Sequence, residues 1–432
     1  MLGWSLVAGP LPAMLAVAGA AGLLALLIAR LDRRWFTRLV PLVVVLAAAG
    51  VGVAVVVLAI TQPFPDPLPV VVWYSLGAAL LAVGLAVTAF RALGATRRVA
   101  AVVATVLVLL AAGNQVNLHF GQYPTLRSAM GLPPANQVGF AQVSTASPGL
   151  VPRPAGQALS SAWQPPADMP SGGQVTEVLV PGPVSGFSAR TAWIYLPPAY
   201  LATPRAELPV LVLLSGQPGT TRDWLDGGRL SAMMDAFAST HDGLAPVVVI
   251  PDWLGSSYAN PLCLDSRLGN VQTYLTVDVP AWIRTTLQID PDPGSWAVGG
   301  YSAGGTCALQ VAVNAPQVYP TFVDISGQSE PTLGDRTATV QAAFAGDTAA
   351  FAAVNPLDQL GRRSYTGVTG FIAAGSNDTV YRPQALQVVQ ATQQAGMQVL
   401  YRELPGGHDW KVWGPALEVF LPQLAVRLRL IP

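Results

Sequence analysis

The sequence predicts an α/β domain, with a mostly parallel sheet flanked by helices, preceded by an all-α unit of four transmembrane helices. Two observations support this division of the 432 residues. The first 119 residues hold four long apolar runs, and the residues from 174 to 432 alternate short β-branched runs with helical patterns. Alternation of strands and helices favours a parallel sheet that is covered on both faces.

The composition supports a membrane protein. Only 11% of the residues are charged and 52% are hydrophobic, whereas soluble domains carry about 25% charged residues. The formal net charge is zero and no basic run occurs, so nucleic acid is not an expected partner. The three histidines and two cysteines lack metal-ligand spacing, and we expect neither a metal nor another cofactor.

The four apolar runs are each near the roughly 20 residues that a helix needs to cross the hydrocarbon core. They lie at residues 6–28, 39–60, 68–90 and 99–118. The alternative of a buried soluble bundle is disfavoured because these runs lack a polar face.

Arginines predict the orientation of the membrane unit. The first and third connections between the runs are rich in arginine, and the second, TQPFPDPLP, has no positive residue. The arginines are Arg30, Arg33, Arg34 and Arg38 in the first connection and Arg91, Arg97 and Arg98 in the third. The positive-inside rule therefore places both ends of the unit, and everything after it, outside the cytoplasm. We expect a multi-pass protein of the cytoplasmic membrane.

Residues 120–173 are rich in Pro, Gly, Ser and Ala and show no lasting periodicity. This composition is typical of a linker, parts of which could lie across either neighbouring unit. The α/β domain is then expected to span residues 174–432.

Eight strand patterns and four helical patterns follow the linker. The strands are expected at 175–180, 191–196, 209–214, 246–251, 295–300, 321–326, 369–374 and 398–404, and the helices at 271–287, 303–314, 383–395 and 410–428. The first two strands lack a helix between them, which favours an antiparallel pair at one edge. Ligands of such sheets bind at the carboxyl ends of the strands, so the chemistry is expected there.

The stretch Gly300-Tyr301-Ser302-Ala303-Gly304 lies between the strand SWAV and the helix GTCALQVAV. A serine within G-x-S-x-G on a strand-to-helix turn is the nucleophile elbow, in which glycines make room for a strained backbone. Ser302 is therefore the predicted nucleophile. The alternative is an ordinary tight turn.

A serine nucleophile needs a base, and only a histidine after the last strand suits that role. His408 lies on the glycine-rich stretch LPGGHDW, whereas His119 ends the last apolar run and His241 precedes a strand. His408 is the predicted base.

The base needs a carboxylate that orients it. Asp378 follows the strand TGFIAA, and the order Ser302, Asp378, His408 is the order of α/β hydrolases. The alternatives are Asp324, Asp347 and Asp358, which are expected to be solvated or capping residues, and Asp409, which is expected to face away.

Two backbone N–H groups are expected to form an oxyanion hole. One belongs to Ala303, directly after the nucleophile, and the other to the loop LLSGQPGTTRDW after the third strand. Gln217 is the predicted second donor, with Gly216 as the alternative.

Cys263 and Cys307 are the only cysteines, and both lie in the domain predicted to face an oxidising compartment. We expect a disulfide that pins the loop after the fourth strand near the site. The alternative is two unrelated buried thiols.

The sequence from about residue 175 to 430 resembles the esterase family of α/β hydrolases that includes secreted mycolyltransferases and S-formylglutathione hydrolases. The matching pieces are LLSGQPGTTRDW, YLTVDVPAWI, the elbow region, AAGSNDT and GGHDWKVW. The resemblance implies the same triad and the same oxyanion donors, Gln217 and Ala303. The chain departs from the mycolyltransferases at Asp378, where they have a glutamate, and at Asp409, where they have a serine.

These patterns predict a membrane-anchored serine esterase or acyltransferase that acts on an acyl ester outside the membrane, and the membrane tether suggests a lipid-linked ester. One alternative is a catalytically inactive α/β-hydrolase-fold binding or scaffold protein of the cell envelope. A transporter with an accessory domain is disfavoured because the apolar runs contain no acidic or basic residue in their interiors.

Overall fold

The computed structural model describes residues 2–61 and 68–432. The chain divides into two units, Met1–Leu132 and Pro133–Pro432.

Among its described residues, the first unit has four helices that are long and apolar enough to cross a membrane. They are α1 (Pro10–Leu27), α2 (Val40–Thr61, extended at its start by the π-helical turn Trp35–Leu39), α3 (Val70–Phe90) and α4 (Ala95–Phe120). This confirms the four predicted apolar helices. Most of the second predicted connection, residues 62–67, lies outside the described residues.

Small residues allow α1 and α4 to approach closely. A side chain on Gly22 would collide with the backbone carbonyl of Ala104, and one on Gly19 would collide with Ala111. Close packing of this kind is typical of helices that associate within a bilayer.

The second unit is built on an eight-stranded sheet. Its strands are β1 (Gln174–Val178), β2 (Ala192–Leu196), β3 (Val210–Leu214), β4 (Val247–Ile250), β5 (Trp296–Tyr301), β6 (Thr321–Ile325), β7 (Thr369–Gly375) and β8 (Gln398–Leu404). The spatial order is β8-β7-β6-β5-β3-β4-β2-β1. Strands β3 to β8 are parallel, while β2 is antiparallel to both β4 and β1. The predicted mostly parallel sheet with an antiparallel edge is confirmed.

Helices cover the sheet, so its central strands are buried on both faces. The longer helices are α5 (Leu230–Ser239), α6 (Val279–Thr286), α7 (Ala303–Asn314), α8 (Arg336–Phe344), α9 (Tyr381–Gln394) and α10 (Trp410–Arg427). Every residue of β2 to β6 is buried. Continuous apolar runs such as VLVLL and VVVI are what a doubly covered sheet requires.

Short elements complete the two units. The helices of one or two turns are Leu126–Ala129, Phe140–Val143, Leu159–Ser161, Pro198–Leu201, Asp223–Asp226, Val271–Thr273 with the π-helical turn Tyr274–Asp278, Pro293–Ser295, Thr348–Ala352 and Pro356–Leu360. The two-residue strands are Leu150–Val151 beside Arg205–Ala206, and Asp265–Ser266 beside Gly269–Asn270.

The segment expected as a linker, residues 120–173, is divided between the two units. Its part up to Leu132 groups with the first unit, and the rest groups with the second. Leu159 and Trp163 are buried in the core of the second unit, and Arg153 forms ion pairs with two aspartates there. Composition alone does not reveal these anchors, because a few well-placed residues are enough to hold an irregular segment in place.

Candidate active site

Ser302 lies at the junction of β5 and α7, where the chain turns sharply. Its backbone has φ 54° and ψ −128°, a region that non-glycine residues rarely adopt and that is characteristic of strained functional turns. A side chain on Gly300 would collide with the backbone of Gly304, and one on Gly304 would collide with the carbonyls of Leu214 and Ser215. The glycines therefore permit the turn that carries the serine.

His408 connects the other two residues of the predicted triad. Its Nε2 atom lies 2.9 Å from the Oγ atom of Ser302, and its Nδ1 atom lies 3.1 Å from the Oδ2 atom of Asp378. Asp378 follows β7, and His408 lies on the loop between β8 and α10. The three side chains meet at the carboxyl ends of the strands, and their action as a catalytic triad stays a prediction.

The Asp378 carboxylate is held on both oxygens. Its Oδ1 atom accepts hydrogen bonds from the backbone N–H groups of Val380, at 3.1 Å, and Tyr381, at 2.8 Å. Burial alone raises the pKa of this carboxyl, but the hydrogen bonds from His408 and the two backbone groups together hold the pKa below its usual value. The carboxylate is therefore ionised, as an orienting partner of a histidine must be.

Two aromatic rings hold the imidazole. The Tyr381 ring stacks on His408 with centroids 3.9 Å apart and planes 16° apart, and the Trp413 ring meets it edge-on at 5.0 Å. Sequence reasoning missed Tyr381. The one sequence feature that indicates a role for Tyr381 near the site is its position three residues after Asp378, at the start of α9.

The other candidate carboxylates have different partners. Asp324 is buried beside α7 and accepts from the N–H of Gly327 at 3.0 Å, and burial raises its pKa to about 7 despite that bond. Asp347 and Asp409 cap helices, and Asp358 pairs with Arg336. Asp378 is the carboxylate whose Oδ2 atom lies within hydrogen-bonding distance of Nδ1 of His408.

The other two histidines make local contacts. His119 packs edge-on against Phe120 at the end of α4. His241 stacks on Phe237, and its Nδ1 atom lies 2.7 Å from the carbonyl oxygen of that residue.

The loop after β3 lies against the nucleophile. A Cβ atom added to Gly216 would lie 3.2 Å from the Cβ of Ser302. A Cβ atom at Gly216 would also lie 2.6 Å from the Tyr301 ring, so the loop runs close to the elbow. Ala303 begins α7, and the N–H of a first helical residue has no acceptor within its helix. Gln217 follows Gly216 along this loop and Ala303 follows Ser302, and their joint role as oxyanion donors stays a prediction.

The sequence pattern of the family described as "Putative esterase" matches residues 188–424, which is more than half of the chain. The chain belongs to this esterase family. An uncharacterized protein of Corynebacterium glutamicum is 38% identical to this esterase over 364 residues, covering 82% of each chain.

Solved structures show the fold of the esterase. A ferulic acid esterase superposes with a TM-score of 0.51 at 20% identity, over 59% of this chain and 98% of the other. An S-formylglutathione hydrolase from Agrobacterium tumefaciens matches with a TM-score of 0.49 at 19% identity, over 60% of this chain and 98% of the other. The match to the ferulic acid esterase and the strand order together show that the second unit has the α/β-hydrolase fold.

A disulfide lies beside the site of this esterase. The structure joins Cys263, in the loop after β4, to Cys307, in α7, with Cα atoms 5.5 Å apart, a separation that suits such a bond. The side-chain amide of Gln310 also donates to the carbonyl oxygen of Cys263. Both contacts attach this loop to the helix that follows the nucleophile.

Proposed function

We propose that this esterase is a membrane-anchored serine hydrolase or acyltransferase that forms an acyl-enzyme on Ser302 at the outer side of the membrane. The observation that supports this most strongly is the continuous hydrogen-bonded chain Ser302–His408–Asp378. Ser302 lies at a sharp strand-to-helix turn, and the protein belongs to an esterase family.

The geometry supports a two-step reaction. The Oγ atom of Ser302 attacks the ester carbonyl carbon while Nε2 of His408 takes the hydroxyl proton, and Asp378 stabilises the resulting imidazolium. The N–H groups of Gln217 and Ala303 stabilise the oxyanion, each contributing on the order of 3 kcal/mol. The alcohol leaves with the proton from His408. Water or an acceptor alcohol then attacks the carbonyl carbon of the acyl-enzyme while His408 takes its proton. His408 returns this proton to Oγ of Ser302 as the acid or the new ester leaves.

The membrane unit determines where this reaction takes place. Four helices long enough to span a bilayer, with arginines in the first and third connections, support an extracytoplasmic catalytic unit in the cytoplasmic membrane. A protein anchored in this way meets esters that are themselves held at the membrane. A lipid-linked acyl ester is therefore the proposed class of substrate. The zero net charge and the lack of a basic run give no reason to expect a nucleic acid as partner.

A fluorophosphonate probe tests the proposal on the full-length chain in detergent. The wild-type protein should be labelled and should hydrolyse p-nitrophenyl acetate, and Ser302→Ala should lose both properties. Ser376→Ala, which removes an exposed hydroxyl at the same edge of the sheet, is the matched control and should keep both. A folded wild-type protein that neither reacts nor turns over would instead support the inactive binding protein.

A further inference from the structure

Arg190 joins two loops at the active-site end of the sheet. It lies just before β2, and its Nη1 atom donates to Ser257 Oγ at 2.9 Å. Its Nη2 atom donates to the carbonyl oxygen of Gly219 at 3.1 Å and to Asp252 Oδ1 at 2.7 Å. Gly219 belongs to the loop after β3 that carries Gln217, whereas Asp252 and Ser257 belong to the loop after β4.

The partner of Arg190 is fixed and buried. The Asp252 side chain is fully buried, with 0% exposure, and its Oδ2 atom accepts from the backbone N–H groups of Arg190, at 2.7 Å, and Gly255, at 3.1 Å. Charge-assisted hydrogen bonds to a buried carboxylate are strong and little screened by salt. The guanidinium is therefore held in one place and fixes what it binds.

Two further hydrogen bonds tie the same loops together. The N–H of Gly219 donates to the carbonyl of Ser257 at 2.9 Å, and the side-chain amide of Gln217 donates to the carbonyl of Tyr258 at 3.0 Å. The residue that carries the predicted oxyanion donor thus lies two positions from the carbonyl that Arg190 binds. Its position depends on how the two loops are held together.

We propose that Arg190 is a positioning residue that sets the geometry of the oxyanion hole, an inference that rests on the proposed function. By binding the Gly219 carbonyl and the Asp252 loop together, it holds the Gln217 N–H where the oxyanion forms. Oxyanion donors act only within about 2.7–3.1 Å of the developing charge. Loss of the Arg190 contacts should therefore lower kcat by about 10- to 100-fold with little change in KM, because the interaction is made in the transition state.

The test compares Arg190→Lys and Arg190→Gln with wild type in the full-length chain. Arg153→Lys is the matched control, because Arg153 forms a similarly buried pair with Asp290 outside the loops at the site. Each protein is assayed with p-nitrophenyl acetate and with its thiono analogue, whose sulfur is a weak hydrogen-bond acceptor. An oxyanion hole favours the oxygen ester, so the oxygen-to-sulfur rate ratio should fall in both Arg190 variants and stay at the wild-type value in Arg153→Lys.

Amide hydrogen exchange provides a readout that does not depend on turnover. Residues 216–220 and 252–258 should exchange faster in Arg190→Gln than in wild type and Arg153→Lys. Unchanged exchange in these segments, or a loss of kcat with an unchanged rate ratio, would overturn the role of Arg190. Absence of turnover by the wild-type protein would contradict the proposed function instead.

Discussion

The Nε2 atom of His408 lies 2.9 Å from the Oγ atom of Ser302, although 106 positions separate the two residues in the chain. The sheet brings them together, since β5 and β8 end at the same edge. The predicted base is already within hydrogen-bonding distance of the hydroxyl. Proton transfer then requires no rearrangement of either loop.

Substitutions in the triad should remove activity without unfolding the protein. Ser302→Ala and His408→Ala should each abolish hydrolysis of short acyl esters, and the double variant should lose no more, because the residues act as one unit. Asp378→Asn should lower kcat on the order of 10³- to 10⁴-fold, because the amide no longer orients the imidazole. Steady-state kinetics beside thermal unfolding check this. Full activity in any folded variant would exclude that residue from the triad.

The orientation of the membrane unit can be tested with reporter fusions. A reporter that works only outside the cytoplasm should be active when fused after residue 120 and inactive when fused at Asp32. The physical reason is the retention of arginine-rich connections on the cytoplasmic side. A cytoplasm-specific reporter at the same two positions is the control and should give the opposite pattern. Reversed results with both reporters would refute an extracytoplasmic catalytic unit.

The Cys263–Cys307 disulfide should be visible in the intact mass. Alkylation under denaturing conditions should add no alkyl group before reduction and two after it. The two cysteines are 44 positions apart, so Cys263→Ser with Cys307→Ser should lower the free energy of unfolding by about 4 kcal/mol in the chain-entropy model. Uptake of two groups without reductant would show free thiols.

Asp324 should make the esterase less stable as the pH rises. Its pKa is about 7 in the folded protein and about 3.9 when unfolded. Between these values the folded state binds more protons, so the free energy of unfolding falls with rising pH by a few kcal/mol at most. Asp324→Asn stays neutral and should flatten this dependence.

Thermal midpoints at pH 5 and pH 8 check the Asp324 prediction. Asp347→Asn, which changes a helix-capping carboxylate on the surface, is the control and should keep the wild-type difference between the two midpoints. An equal difference in wild type and Asp324→Asn would show that Asp324 is not the group responsible.

Local patterns predict an elbow at Ser302 and a triad with Asp378 and His408, and the structure brings these three side chains within hydrogen-bonding distance; their catalytic roles stay predictions. The glycines around Ser302, the strand before it and the helix after it all lie within residues 296–314, and strand ends predict the places of Asp378 and His408. The stacking of Tyr381 and the contact of Arg190 with Gly219 could not be predicted in this way. They depend on the distance and angle between separate loops, which no local pattern contains.

The anchoring of residues 133–173 determines how the catalytic unit can be shortened. A fragment that starts at residue 188, where the family match begins, would lack this segment and also β1, which pairs with β2. It would leave β2 as an open edge strand and would lose Leu159 and Trp163, which are buried in the core of the second unit. Open edges and exposed apolar surface promote aggregation. A fragment that starts at Pro133 keeps β1 and the buried residues Leu159 and Trp163.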